Sequence, residues 1–167
     1  MNKNLIFDFS IDKTNKTITV VREFDAEVTL VWDAFTKKEL LDQWWAPKPW
    51  QAKTKTLDFR AGGKWFYAMV GPMGDKNWAL TEYTAIKPFK KFVGLDSFTD
   101  AEGKVNDHMP QSKREIKFTD MGRQTEVEIK TSYDELADLD LIINMGFKQG
   151  ITAAMENLDE LLTGLQK

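Results

Sequence analysis

From residue 124 to residue 133 the chain alternates. Thr125, Val127, Ile129, Thr131 and Tyr133 project to one side, and Glu126, Glu128 and Lys130 to the other. A period of two with one polar face predicts a strand in an antiparallel sheet that is buried on one side only. The same period runs back to Gln51, punctuated by turn residues at Gly62–Gly63, Gly71 to Asn77, around Pro88, at Gly103 and at Gly122. These breaks separate further strands at about 52–59, 64–70, 77–86, 91–98 and 112–119. Ahead of them, LIFDFSI (Leu5 to Ile11), the turn residues DKTNK and the β-branched run TITVVREF predict a hairpin.

Two stretches change to a helical period. Val28, Val31, Trp32 and Phe35 recur at intervals of three and four, which predicts a short amphipathic helix capped near Asp25. Leu40, Leu41, Trp44 and Trp45 predict a second, which Pro47 ends because proline cannot continue the hydrogen-bond ladder. At the C-terminus, Leu139, Ile143, Phe147, Ala154, Leu158 and Leu161 form the apolar stripe of a long helix from roughly Leu136 to Leu162. Gly146 and Gly150 fall on or near that stripe, where each costs about 1 kcal/mol against alanine. The expectation is that they let the sheet, or something held on it, approach the helix backbone. The order implies an α+β fold in which a curved antiparallel sheet wraps a long C-terminal helix, with two short helices after the first strands.

Composition narrows the classes. A length of 167 residues suits a single domain spanning 1–167, and 42% hydrophobic with 29% charged residues is a globular balance. A net charge of -3 argues against nucleic acid and against an anionic membrane surface as partners. The absence of cysteine removes disulfides and thiolate metal sites. A lone histidine, His108, in the loop sequence NDHMPQ cannot build a typical zinc centre, so no metal is expected. GPMG lacks the ending of a phosphate loop, and no cofactor site is apparent. The opening MNKNLIFDFSIDK has an apolar run broken at Asp8 and no small-residue cleavage site, so neither a signal peptide nor a membrane span is expected, and the location is read as cytoplasmic.

Several motifs carry a resemblance. They are REFDAEVTLVWDAFTKKELLDQWW, the double-glycine bend and turn of DFRAGGKWFYAMVGPMG, the hairpin EYTAIKPFKKFV, and the terminal NMGFKQGITAAMENLDELL. In this order, from about Thr17 to Leu162, the chain resembles the START-like (SRPBCC, Bet v 1-like) superfamily of helix-grip folds, in its activator of heat-shock-protein ATPase homologue branch. Glu27 stands where that branch often has proline, and the LIFDFSI hairpin is an addition to its usual opening. The eukaryotic activator that names the branch has a further N-terminal domain without counterpart in this sequence, so the name implies little about chaperone binding. The resemblance does imply a cavity between the long helix and the concave sheet face.

Candidate site residues follow from that placement. Trp65, Tyr67 and Met69 alternate on one strand and would meet Met145, Phe147 or Met155 on the helix, either as a pocket for a flat apolar ligand or as an ordinary core. In DQWWAPKPW, Trp44 packs by spacing with Leu40 and Leu41 as a core plug. Trp45 and Trp50 flank a stiff Ala-Pro-Lys-Pro bridge that could hold an indole at a cavity mouth. Trp78, Leu80, Glu82, Thr84 and Ile86 share one strand face, and Phe92, Gly94, Asp96 and Phe98 another. If both faces point inward, Glu82 and Asp96 form a poorly solvated carboxylate pair. If the second strand slips by one residue, Val93, Leu95 and Ser97 face in and Asp96 lies in water. Glu82 is the stronger candidate of the two. Arg60 and Arg114 are expected in ion pairs with partners the sequence does not name.

These features rank a small-molecule binder first, with an apolar or aromatic, lipid-like ligand. A co-chaperone-like module working through its surface with a protein partner comes second. An enzyme of cyclase or hydrolase type using cavity carboxylates comes third, so catalysis is not the expected role. The protein is expected as a monomer or, by edge-strand pairing of LIFDFSI, a homodimer.

Overall fold

The computed structural model describes residues 5–166, so the first four residues of the opening stretch and residue 167 lie outside it. A hairpin of β1 (Phe7–Asp12) and β2 (Thr17–Phe24) leads into α1 (Val28–Thr36) and α2 (Lys38–Trp44). The chain then makes β3 (Gln51–Leu57), β4 (Lys64–Val70), β5 (Lys76–Lys87), β6 (Lys91–Thr99), β7 (Ser112–Asp120) and β8 (Thr125–Tyr133). It ends in α3 (Leu136–Asn144) and α4 (Phe147–Leu165). The strands form one 8-stranded sheet in the order β1-β2-β8-β7-β6-β5-β4-β3, antiparallel throughout. The curved sheet grips α4: this is the α+β helix-grip arrangement expected from the element order.

The alternation of β8 is realised in full, with Thr125, Val127, Ile129, Thr131 and Tyr133 all buried on the concave face. The tandem helices cross from β2 to the far edge of the sheet and pack on α4. Trp44 is the plug its spacing predicted. It is buried, its ring meets Phe35 edge-on at 4.8 Å, and its Nε1 donates to the Ala34 carbonyl at 2.8 Å. From α4, the Asn157 amide donates to the Ala46 carbonyl at 3.0 Å and so ties down the chain just past α2. The apolar interior divides into two clusters. One surrounds Trp32, Phe35, Trp44 and Phe118, and the other joins Ile18, Tyr133, Leu139 and Ile142 beneath α3.

Two expectations need correction. The first short helix starts at Val28 with Glu27 at its cap, makes no side-chain cap hydrogen bond, and owes its position to burial of Val31, Trp32 and Phe35 rather than to Asp25. The long C-terminal helix is broken: Met145 closes α3 and Gly146, at φ +95°, opens α4 in the left-handed region. The spacing of apolar residues continues across Gly146 in the sequence, so periodicity gives no sign of the break. Gly146 is therefore there for its backbone angle. No helix among the described residues is long and apolar enough to cross a membrane.

Candidate functional site

A cavity of about 340 Å³ lies between α4 and the concave face, with walls drawn from both apolar clusters. On the sheet side the cavity is lined by the small Ala79 of β5. Ala79 and Thr81 of β5 point inward, and Gly94 of β6 comes so close that an added Cβ would stand 2.6 Å from the Thr81 methyl. Opposite them, Gly146 and Gly150 line the cavity from the helix side. The mouth includes Met145, which is 55% exposed.

One wall is polar. Asp96 of β6 pairs in register with Thr81 and accepts a hydrogen bond from the Thr81 hydroxyl at 2.5 Å. Arg114 of β7 donates from Nη2 to the same Asp96 oxygen at 3.0 Å and lies 3.4 Å from Thr81 Oγ1. The guanidinium stacks over the Trp45 ring, 4.5 Å from its centroid, and Trp45 Nε1 donates to the Tyr67 hydroxyl at 3.0 Å. Only 14% of the Arg114 side chain and 23% of that of Asp96 is exposed, so the pair belongs to the interior. Burial pushes the Asp96 carboxyl above its usual 3.8, against the opposing pull of Arg114 and the Thr81 hydroxyl. Burial also pushes the Tyr67 phenol up to about 12 and raises that of Tyr133, so both stay neutral and act as hydrogen-bonding groups.

Of the residues expected at the site, Trp45, Tyr67, Met69, Asp96, Phe98 and Phe147 line the cavity together. Four do not. Trp50 lies flat on Gly71, where an added Cβ would stand 2.9 Å from its ring, so the proline bridge turns it onto the β4–β5 turn instead of the mouth. Trp65 faces inward but behind Tyr67, stacked on it at 4.0 Å, with its Nε1 donating to Thr54 Oγ1. Trp78 stacks on Phe66 at 4.9 Å on the convex face.

Glu82 is exposed on that convex face as well, opposite Leu95, so the expected carboxylate pair does not form. The cause is the face of β5. Ala79, Thr81 and Tyr83 point inward, and an irregularity between Tyr83 and Ala85 shifts the register so that Ile86 returns to the core. Trp78 and Leu80 make the opposite face look equally apolar in sequence, and their covering partner Phe66 is brought by another strand. Asp96, the weaker candidate of the two, is the carboxylate in the cavity.

The chain matches the model of the family described as activator of Hsp90 ATPase homolog 1-like protein over residues 25–163. It belongs to that family. No curated protein matches the chain. Among solved structures it is similar to the protein Ms6760 from Mycobacterium smegmatis, at 30% identity and a TM-score of 0.87 over 95% of this chain and 96% of that one. It is also similar to a protein from Arthrobacter aurescens, at 27% identity and a TM-score of 0.90 over 94% and 91%. A third likeness is to a protein from Staphylococcus epidermidis, at 26% and 0.82 over 93% and 94%. The structure is thus a START-like helix-grip fold of the Hsp90-ATPase-activator-homologue branch. The family match begins at Asp25, after the β1–β2 hairpin, whereas the mycobacterial structure covers nearly the whole chain.

The residue that sequence reasoning left without a role is Arg114. Its signal was present, since Ser112, Arg114, Ile116 and Phe118 alternate onto the face that buries Ile116 and Phe118. An arginine in phase with a buried face requires an interior partner. Its partner, Asp96, is 18 residues away along the chain and becomes adjacent only through the β6–β7 pairing. Arg60, by contrast, pairs with Asp58 at 2.7 Å on the exposed β3–β4 turn.

Proposed function

We propose that the chain acts as one START-like domain that holds a small apolar or aromatic molecule between its sheet and α4. The observation that carries this reading is a space of about 340 Å³ lined by small residues from both sides, Ala79 of the sheet and Gly146, Gly150 and Ala154 of the helices. A core selected for stability alone would fill that space, because interiors are normally packed to crystal density. Its size lies at the small end of ligand sites, and its composition, apolar walls with a few convergent polar groups, is typical of them. Met69 and Met145 give the walls adaptable contacts, while Phe98, Phe147 and Tyr67 offer flat ones.

The test uses Trp45, whose indole borders the cavity. Tryptophan fluorescence and thermal melting are followed against aromatic, fatty-acid and polyketide-like compounds. A ligand at 100 times its dissociation constant should add about 2.7 kcal/mol, or roughly 5–10 °C in melting temperature for a chain of this size. The quench and the shift should both vanish in a folded Met69→Lys variant. No response to any compound would overturn the reading.

A second reading, a co-chaperone-like surface, is favoured by the convex face. There the Phe66–Trp78 stack is only half-buried, and Leu95, opposite Glu82 on the same face, is 43% exposed. Direct binding to Hsp90 that is lost on Trp78→Lys would support it.

A further inference from the structure

An arginine in an apolar cavity ordinarily invites an anion. Here its charge is already matched. Arg114 donates from Nη2 to Asp96 Oδ1 at 3.0 Å, the Thr81 hydroxyl donates to the same oxygen, and the guanidinium lies over the Trp45 ring. Both bonds to Asp96 fall on Oδ1, so among the described residues Oδ2 accepts no side-chain hydrogen bond, and neither Nη1 nor Nε of Arg114 donates one. The other titratable groups on the cavity wall, Tyr67 and Tyr133, are phenols and add no charge. The wall therefore carries one positive and one negative charge side by side, with an acceptor and donors to spare.

We propose that this pair makes the cavity selective for neutral aromatic ligands bearing a hydrogen-bond donor and acceptor side by side in one head group, such as a primary amide or a hydroxy-ketone, and makes it reject the corresponding carboxylates. The proposal rests on the ligand-binding reading above and specifies the ligand's head group. A neutral head of this kind meets the free Asp96 oxygen with its donor and the free guanidinium hydrogens with its acceptor, leaving no buried group unpaired. A carboxylate head would bring a second anion next to Asp96 in a poorly solvated place, where an uncompensated charge is expensive. A cationic head meets the same objection at Arg114.

Three probes with one skeleton test this: 2-naphthamide, 2-naphthoate and 2-naphthamidine, titrated by calorimetry into the full chain. The native protein should bind the amide at least about tenfold more tightly than either charged probe, a difference that corresponds to about 1.4 kcal/mol. Asp96→Asn keeps the shape and removes the negative charge, so its preference should invert toward naphthoate. Arg114→Gln does the opposite and should invert toward naphthamidine, which keeps the proposal testable if one variant fails to fold. Naphthoate bound as tightly as the amide by the native protein, or a ranking unchanged in a folded variant, would overturn head-group selection while leaving the cavity a ligand site. Failure of all three probes to bind any of the proteins would remove the ligand-binding reading and this proposal together.

Discussion

At Asp96 a carboxylate sits where its proton is held more tightly than in the unfolded chain, because burial outweighs the pull of Arg114 and Thr81. A group whose folded pKa is raised contributes its stabilisation below the unfolded value, near 4, and loses it as pH rises through the folded value. The stability of the native protein relative to Asp96→Asn should therefore fall across that window, as read from urea unfolding of both proteins at a series of pH values. A difference that grew with pH would mean that Arg114 dominates. Gly94 abuts Thr81, whose hydroxyl donates to Asp96. Gly94→Ala would drive a methyl into that of Thr81, which is 2.6 Å from the added Cβ, and should cost about 1–3 kcal/mol in denaturant unfolding. Trp44→Ala removes a buried indole together with its hydrogen bond to Ala34, and a loss of about 3–5 kcal/mol is expected by the same measurement.

Among the elements, the joint between α3 and α4 separates two glycines that look alike in sequence. Gly146 is at φ +95°, where a side chain strains the backbone, whereas Gly150 has ordinary helical geometry and nothing within 4 Å of an added Cβ. Gly146→Ala should destabilise by about 1–2 kcal/mol, while Gly150→Ala should stabilise by about 0.5–1 kcal/mol. Equal effects in thermal unfolding would contradict the assignment of the break to Gly146. The strands show the converse difficulty. In β8 one face is polar throughout, so its orientation was legible residue by residue. In β5 both faces carry large apolar groups, because Trp78 and Leu80 are covered by Phe66 on the convex side, and alternation by itself could not say which face was inward.

For the whole molecule, the proposed ligand-binding role implies that filling the cavity should raise stability at the expense of binding. Ala79→Leu, which extends a side chain from the sheet into the space, should leave the melting temperature unchanged or higher and abolish the fluorescence response to any ligand found for the native protein. The chain's own pattern determined the order of strands and helices, the concave face of β8 and the plug at Trp44, because each follows from local periodicity and turn chemistry, while the helix-grip class came from the resemblance of its motifs to a known superfamily. It also marked Tyr67, Met69 and Phe147 as residues that could line an interior space. Tertiary structure alone decided that Asp96 rather than Glu82 faces inward, that Arg114 is its partner, and that Trp50 and Trp78 lie elsewhere. Those outcomes depend on the register between strands and on which neighbour covers which face. Such pairings join residues distant along the chain, and no local pattern encodes them.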